Sequence, residues 1–376
     1  MNILLLEKDL SRWGGNEAMA FAVAKGLAAR QHSVFLAYET AGPLLDENRA
    51  SIRAGQKVRL QPFGWRMLLS SLETTWELWQ LGKRWRIDAI FTSHLGFLRN
   101  LALLRVFCGI PFIYHLGLNP PDKKISVTWA IKKMAAGISP SKTNGSKWLN
   151  ASLPEEKLHI VPNWVDFERF APVADKSKLR LRLELPADSP LIVYAGRMVP
   201  EKGVEILIRA FAKVHRIFPK AVLLLVGGAT DSYAASLKTL CNELGVTGEA
   251  ARQIGHSKFP ELYFAVADIA VIPSIVDESF GLTAVEAMGC GALTIVSSVG
   301  ELAAIVGPEN NDLVFQSGNT EALARVLENW IAAPQSAAQR GPRLRNYALS
   351  HFQASDKIAC YENIINKSMH TPSSTT

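Results

Sequence analysis

The sequence predicts an α/β protein built from two doubly wound domains, and three observations carry this. The chain opens with an apolar run at residues 2–6, the pair Gly14-Gly15, a helical stretch at 17–30 and a second apolar run at 33–38. Strand, glycine loop, helix, strand is a βαβ unit, the start of a parallel sheet covered on both faces. The same order restarts in mid-chain: an apolar run at 191–195, then Gly196 and Gly203, a helix to about residue 218 and a strand at 221–226. Length agrees, because 376 residues with 48% hydrophobic content suit two domains, each with its own core.

In the first half, Trp65, Leu68, Leu69, Leu72, Trp76 and Trp79 recur at helical spacing. Such a stripe predicts a helix packed on the sheet. Arg66, Lys83, Arg84 and Arg86 punctuate it, so a helix lying in a headgroup region is the second reading. Residues 88–93 and 111–115 read as strands ending in Ser93-His94 and His115-Leu116-Gly117. Strand C-termini line the crevice of an open α/β sheet, which makes His94 and His115 site candidates; a purely structural histidine is the alternative. Asn119-Pro120-Pro121 breaks regular structure, and Lys123, Lys124, Lys132, Lys133, Lys142 and Lys147 follow as a basic segment. The first glycine loop lacks G-x-G-x-x-G, so no dinucleotide site is expected. Two glycines ahead of a helix still let a phosphate or sugar approach the backbone.

Residues 161–166, Val-Pro-Asn-Trp-Val-Asp, mark the junction. The expected division is a first domain over 1–164, a second over 165–352, a C-terminal helix at 353–368 and a frayed tail at 369–376. In the second domain, strands are expected at 252–255, 269–274 and 293–296, and helices at 237–244, 258–266 and 323–332.

The most informative stretch is 277–291, DESFGLTAVEAMGCG. It follows an apolar strand and opens a helix at about Leu282. Glu278 falls in the loop and Glu286 about one turn into the helix. Phe280 and Gly281 sit just ahead of the helix, where open amides and the positive dipole end favour an anion. Carboxylates accept hydrogen bonds from sugar hydroxyls. Arg197 and Lys202 follow the first strand of this domain, and a fork-shaped guanidinium beside a compact ammonium suits a diphosphate. No D-x-D pair occurs, so fixed cations and helix N-termini, not a bound metal, are the expected means of neutralising a leaving diphosphate.

Charge and cysteine usage narrow the setting. Residues 1–165 hold 21 Lys+Arg against 12 Asp+Glu, a net +9; the remainder hold 20 against 22, a net −2. A basic first half points to an acidic partner, anionic lipid or phosphorylated glycan, and without a recognisable motif nucleic acid is not expected. Cys108, Cys241, Cys290 and Cys360 form no C-x-x-C pair, which suits a reducing compartment. The opening apolar run is too short for a signal peptide, and no run of about 18 apolar residues appears. A cytoplasmic protein, peripheral on the inner face of a membrane, is the expectation.

Taken in order, these motifs resemble glycosyltransferase family 4, the retaining enzymes of GT-B fold. Gly196-Arg-Met-Val-Pro-Glu-Lys-Gly203 resembles the family's G-R-x-x-x-x-K-G signature. Pro273-Ser274, Glu278-Ser-Phe-Gly281 and Glu286-Ala-Met-x-x-Gly291 resemble its E-x7-E region, residues 161–166 its I-P-N-G-V-D segment, and Gly14-Gly15 and His115 its first glycine loop and strand-end histidine. The resemblance implies two Rossmann-like domains facing a central cleft, the final helix crossing back to the first. It implies a metal-independent hexosyltransferase without a cofactor, which moves a sugar from a nucleotide-diphosphate sugar to a glycan or lipid-linked acceptor in cell-surface polysaccharide or lipopolysaccharide-type biosynthesis. The transfer would be retaining, through a front-face, oxocarbenium-like transition state. Arg197 and Lys202 would hold the diphosphate, and Glu286 the ribose. Glu278 would hold the transferred sugar with the 279–282 segment: Ser279, Phe280, Gly281 and Leu282. Gln253, Ile254 and Gly255 would face the base, Gly14 and Gly15 would approach the phosphate, and His115 would line the reaction centre. Asn16 and His94 are acceptor-side candidates. Two positions depart from the family pattern: Trp164 replaces the junction glycine, and Ser93 occupies a place often held by histidine, with His94 one residue later. A GT-B nucleotide-sugar epimerase or hydrolase, and a non-catalytic two-lobed sugar-binding protein, are the alternatives.

Overall fold

The computed structural model describes residues 1–11, 14–58, 67–122 and 124–370, the side chains of 67–71 excepted. Trp13, Trp65, Arg66, Lys123, the side chains of Leu68 and Leu69, and residues 371–376 of the expected tail therefore lie outside the described residues. The chain separates into two compact units, residues 1–163 with the segment from Ala354 onward, and residues 164–353.

Among the described residues, the first unit holds a seven-stranded parallel sheet. Its strands are β1 (Asn2–Asp9), β2 (Ser33–Thr40), β3 (Ala54–Lys57), β4 (Ala89–Thr92), β5 (Phe112–His115), β6 (Ala136–Ser139) and β7 (Leu158–Ile160). Their spatial order is β3-β2-β1-β4-β5-β6-β7. Leu4 of β1 stands opposite Phe35 of β2 and Ile90 of β4. Ile3 to Leu6 are all buried, the mark of a strand covered on both faces, and this is why β1 reads as a continuous apolar run. The C-terminal helix Ala354–Met369 packs against helix Gly15–Ala29. Gly26 makes that closeness possible: a Cβ there would stand 2.0 Å from Ile358 Cδ1. Arg30 Nε donates to Glu362 at 2.6 Å, and His32 Nε2 meets the same carboxylate at 2.7 Å.

Helix Met67–Trp85 corrects the expectation for the tryptophan stripe. Among its described side chains Thr74, Leu78 and Leu81 are buried, as is Gly82, while Leu72 and Trp76 are 52% and 56% exposed. At about 100° per residue, Leu72 and Trp76 fall on the opposite side of the helix from Leu78. Trp79 and Trp85 are partly buried against the core, with Trp85, on the Leu78 side, stacked on Phe35 at 5.0 Å. Of the stripe's described side chains, Leu72 and Trp76 are thus on the surface and Trp79 is partly buried.

The second unit holds a six-stranded parallel sheet among the described residues. Its strands are β8 (Leu191–Ala195), β9 (Val222–Val226), β10 (Ala251–Gly255), β11 (Ile269–Ile272), β12 (Leu293–Ser297) and β13 (Val314–Phe315), in the order β10-β9-β8-β11-β12-β13. β8 pairs with β9 over five residues, but with β11 only at Ile192–Ile269 and Val193–Ala270. The two central strands therefore part at their C-terminal ends. Strand order reverses at that point, and in doubly wound sheets ligands enter there.

Candidate functional site

The parting of β8 and β11 sets out the second unit's candidate site. β8 runs into Gly196 and the exposed Arg197, whose carbonyl accepts from the Tyr194 hydroxyl at 2.6 Å. The loop then turns through Pro200–Lys202 to Gly203, which has φ +66°. A Cβ on Gly203 would stand 2.0 Å from the Pro273 carbonyl oxygen, so glycine is what allows this loop to lie against the end of β11. Ile275 N donates to Glu201 O at 2.9 Å and fastens the two. Lys202 is thereby carried to Glu278: its Nζ donates to Glu278 Oε1 in an ion pair. Ser274 Oγ donates to the same oxygen at 2.6 Å, and Ser297 Oγ holds the Ser274 carbonyl at 2.6 Å. Gly300, at φ +55°, lets the next loop pass over this segment, since a Cβ there would meet Glu278 O at 2.4 Å.

Helix Leu282–Gly289 starts directly after this cluster. Its N-cap, Gly281, offers no side-chain hydrogen bond, so its first-turn amides are not covered by a capping group. Phe280 turns its ring into the core, edge-on to Phe352 at 5.6 Å, so only its backbone can serve a ligand. Glu286 sits partly buried one turn in, facing Arg169 and Glu261, which pair with each other at 3.0 Å. Burial pushes its carboxyl up to about 7, with Arg169 pulling the other way. Gln253, Ile254 and Gly255 stand on the outer strand β10, two strands from β8. Gly227 N donates to Gly255 O at 2.7 Å and Gly196 N to Val226 O at 2.9 Å, so the ends of β10, β9 and β8 form one continuous row.

The first unit has its own switch point, between β1 and β4. Here lies a residue that the motif reading passed over. Glu7, near the end of β1, is 1% exposed and accepts from Ser93 N at 3.2 Å and Ser93 Oγ at 2.8 Å. Burial drives its carboxyl up to about 8. The signal was available: Glu7 follows four apolar strand residues, Ile3 to Leu6. Ser93 also gathers its neighbours, its carbonyl accepting from Asn16 Nδ2 at 2.9 Å and from the Tyr114 hydroxyl at 3.1 Å. His94 points elsewhere, its Nδ1 accepting from Gly96 N at 3.0 Å while its ring meets Phe97 edge-on. Burial and Lys8 depress it to about 4. His115, at the end of β5, is 1% exposed, depressed by burial to about 4, and bonded through Nδ1 to the Tyr361 hydroxyl at 2.9 Å. Its Nε2 and the Oδ1 of Asn16 are buried without partners among the described residues. Gly14 is the N-cap of helix Gly15–Ala29 and caps it with no side chain; Gly15 is exposed at its first turn.

Two parallel, doubly wound units with these strand orders define the GT-B architecture, and comparison with known proteins agrees. Residues 13–169 match the profile of the family described as Glycosyltransferase Family 4, and residues 175–347 that of Glycosyl transferases group 1. The GDP-mannose-dependent alpha-(1-6)-phosphatidylinositol monomannoside mannosyltransferase of Mycolicibacterium smegmatis is 29% identical over 222 residues, 57% of each chain. The D-inositol 3-phosphate glycosyltransferase of Xylanimonas cellulosilytica is 30% identical over 268 residues, 68% of this chain and 60% of the relative. The matches thus span 57% and 60% of these two relatives. The crystal structure of Anabaena HepE in complex with UDP and glucose superposes with a TM-score of 0.86 at 22% identity, covering 98% of this chain and 100% of that one. The chain belongs to the family-4-like glycosyltransferases of GT-B fold.

Proposed function

We propose that the protein transfers a sugar, with retention, from a nucleotide-diphosphate sugar to a glycan or lipid-linked acceptor of a cell-surface polysaccharide or lipopolysaccharide. The observation that carries this reading is the cluster at the β8/β11 switch point: Arg197, Lys202 and Glu278 ahead of the helix that begins at Leu282. In this reading Arg197 and Lys202 hold the diphosphate, and the amides of Phe280 and Gly281 add the helix's positive end. Glu278, with Ser279 and Leu282 beside it, takes hydroxyls of the sugar. Glu286 takes the ribose, and Gln253 to Gly255 face the base. Charge developing on the departing diphosphate is met by the fixed cations and the dipole. The released diphosphate oxygen then takes the acceptor's proton. No cofactor or metal is required in this scheme; among the described residues no group of three His, Cys, Asp or Glu side chains stands together as a ligand set.

The first unit would supply the acceptor side through Asn16, His94 and His115, with Gly14 and Gly15 near the phosphate. A lipid-linked acceptor agrees with the phosphatidylinositol mannoside in one relative's name and with the basic first half. Docking on the inner face of an anionic membrane is part of this proposal; no helix among the described residues is long and apolar enough to cross one.

A thermal-shift screen against UDP, GDP, ADP and their sugars tests the reading, because a bound ligand raises the melting midpoint by mass action. One nucleotide family should stand out, and its sugar should appear on an added acceptor. No shift with any of them removes the donor site. Sugar released only to water, or interconverted, favours the hydrolase or epimerase alternative.

A further inference from the structure

We propose that Tyr361, on the C-terminal helix, is a positioning residue that holds His115 with its ring proton on Nε2. This rests on the reading of His115 as a residue of the transfer site and adds what fixes it there. Tyr361 is fully buried, edge-on to Phe91 at 5.9 Å, with its hydroxyl 2.9 Å from His115 Nδ1. Burial raises the phenol, so it keeps its proton across the working range of pH. His115 is neutral there, since burial lowers it, and a neutral imidazole carries one proton on one of two nitrogens. A phenol donates more strongly than it accepts, because its oxygen lone pair is drawn into the ring. Donation to Nδ1 leaves the proton on Nε2.

A second observation asks for that tautomer. A Cβ built on Gly117 would stand 2.9 Å from His115 Nε2 and 1.9 Å from Asn16 Oδ1. The two atoms therefore flank one point, no farther apart than those distances together, and neither has a partner among the described residues. Both atoms are buried, so an Nε2–H donor beside the Oδ1 acceptor makes a complementary pair. The other tautomer would set two buried acceptors side by side, with no proton between them. The chain also holds Tyr361 firmly. Glu362, its neighbour, bonds Arg30 and His32, and Ile358, one turn earlier, packs over Gly26. The C-terminal helix is on this account a working part of the first unit's site.

The test is NMR of the full chain with isotope-labelled histidine, read for the tautomer of His115 in wild type, Tyr361→Phe and, for assignment, His115→Ala. The Nε2–H form is expected in wild type, with a shift toward mixed tautomers in Tyr361→Phe. Turnover, read as UDP release from UDP-glucose and GDP release from GDP-mannose, is expected to fall about tenfold in kcat with little change in KM, the effect of losing one hydrogen bond's worth of positioning. An Nδ1–H signature in wild type, or an unchanged tautomer in Tyr361→Phe, overturns the proposal. Should Tyr361→Phe fail to fold, the wild-type spectrum decides. Unaltered turnover in His115→Ala would instead remove His115 from the transfer site and leave the tautomer result standing.

Discussion

Lys202 and Glu278, 76 positions apart in the chain, are ion-paired at the end of the second unit's central strands. In the proposed reading each serves a different part of the donor, although the two charges also satisfy each other. On that reading a diphosphate draws Lys202 away, and a sugar hydroxyl competes for Glu278. Lys202→Ala and Arg197→Ala should each weaken nucleotide binding about tenfold, since a hydrogen bond to a charged group is worth about 1.5–3 kcal/mol. Glu278→Ala should behave differently, leaving free nucleotide binding intact or tighter while turnover of the sugar nucleotide collapses. Calorimetric titration with the nucleotide and with its sugar separates the cases. Equal losses of free nucleotide binding in Lys202→Ala and Glu278→Ala would sink the division of labour. Turnover abolished by EDTA and restored by Mg²⁺ would sink the fixed-cation scheme.

Glu286 gives a pH signature. Its carboxyl is raised by burial to about 7, so near neutrality a fraction is protonated. A protonated carboxyl has less acceptor capacity for a ribose diol. Nucleotide affinity should therefore fall as pH drops below about 7 and level off above it. Glu286→Gln should bind more weakly and lose that dependence. An affinity flat from acid to neutral pH in the wild type would rule out Glu286 as the ionised ribose acceptor.

Much of this architecture was legible because buried parallel strands announce themselves. β1, β8, β9, β11 and β12 are apolar runs covered on both faces, and the glycine loops that follow β1 and β8 mark the starts of both sheets. The edges were harder to read. β3 is mostly exposed, β6 is three small residues and one isoleucine in Ala-Gly-Ile-Ser, and β13 has two residues in all. Helix Pro334–His351 was missed because Pro342 and Gly341 interrupt it; Gly341 is needed where the helix crosses the Gly291 carbonyl. At the candidate site, motif spacing brought out Arg197, Lys202, Glu278 and Glu286. It could not bring out Glu7, Tyr194 or Tyr361, whose part comes from contacts with residues distant in the sequence or, for Tyr194, with the backbone of the loop that follows.

Glu7 makes stability depend on pH. Its folded-state pKa is about 8, against 4.5 for an ordinary glutamate. Between those values the folded protein keeps a proton that the unfolded chain has released. Stability must then fall as pH rises through this window and level off above it, at about 1.4 kcal/mol for each unit of difference. Glu7→Gln keeps an acceptor for Ser93 without a charge to bury. It should flatten the decline and be more stable than wild type at pH 9. Denaturant melts across pH check this, and parallel declines in the two proteins would mean that Glu7 does not stay protonated when folded.

The membrane proposal now has a more definite surface. Leu72 and Trp76 stand exposed on helix Met67–Trp85, with Trp79 beside Trp76 at 4.5 Å and Lys83 over the Trp79 ring. An exposed tryptophan near lysines suits the headgroup region, where the ring sits at the interface and the cations meet anionic lipid. Lys83, Arg84 and Arg86 cluster at the end of this helix, within a first half of net charge +9 from 21 Lys+Arg against 12 Asp+Glu. Each basic residue at an anionic leaflet contributes about 1 kcal/mol, so a handful gives reversible attachment. The attraction decays over about 8 Å at physiological salt. Sedimentation with liposomes should show binding to anionic vesicles, little to neutral ones, and a steep loss as salt rises. Trp76→Ala should weaken binding at fixed salt, and Lys83→Glu with Arg84→Glu should nearly abolish it. Because Trp76 is exposed and its truncation removes no core packing, the melting midpoint should hardly move. Binding that ignores lipid charge, or an absence of binding at low salt, would assign the acceptor to solution and leave Leu72 and Trp76 as plain surface.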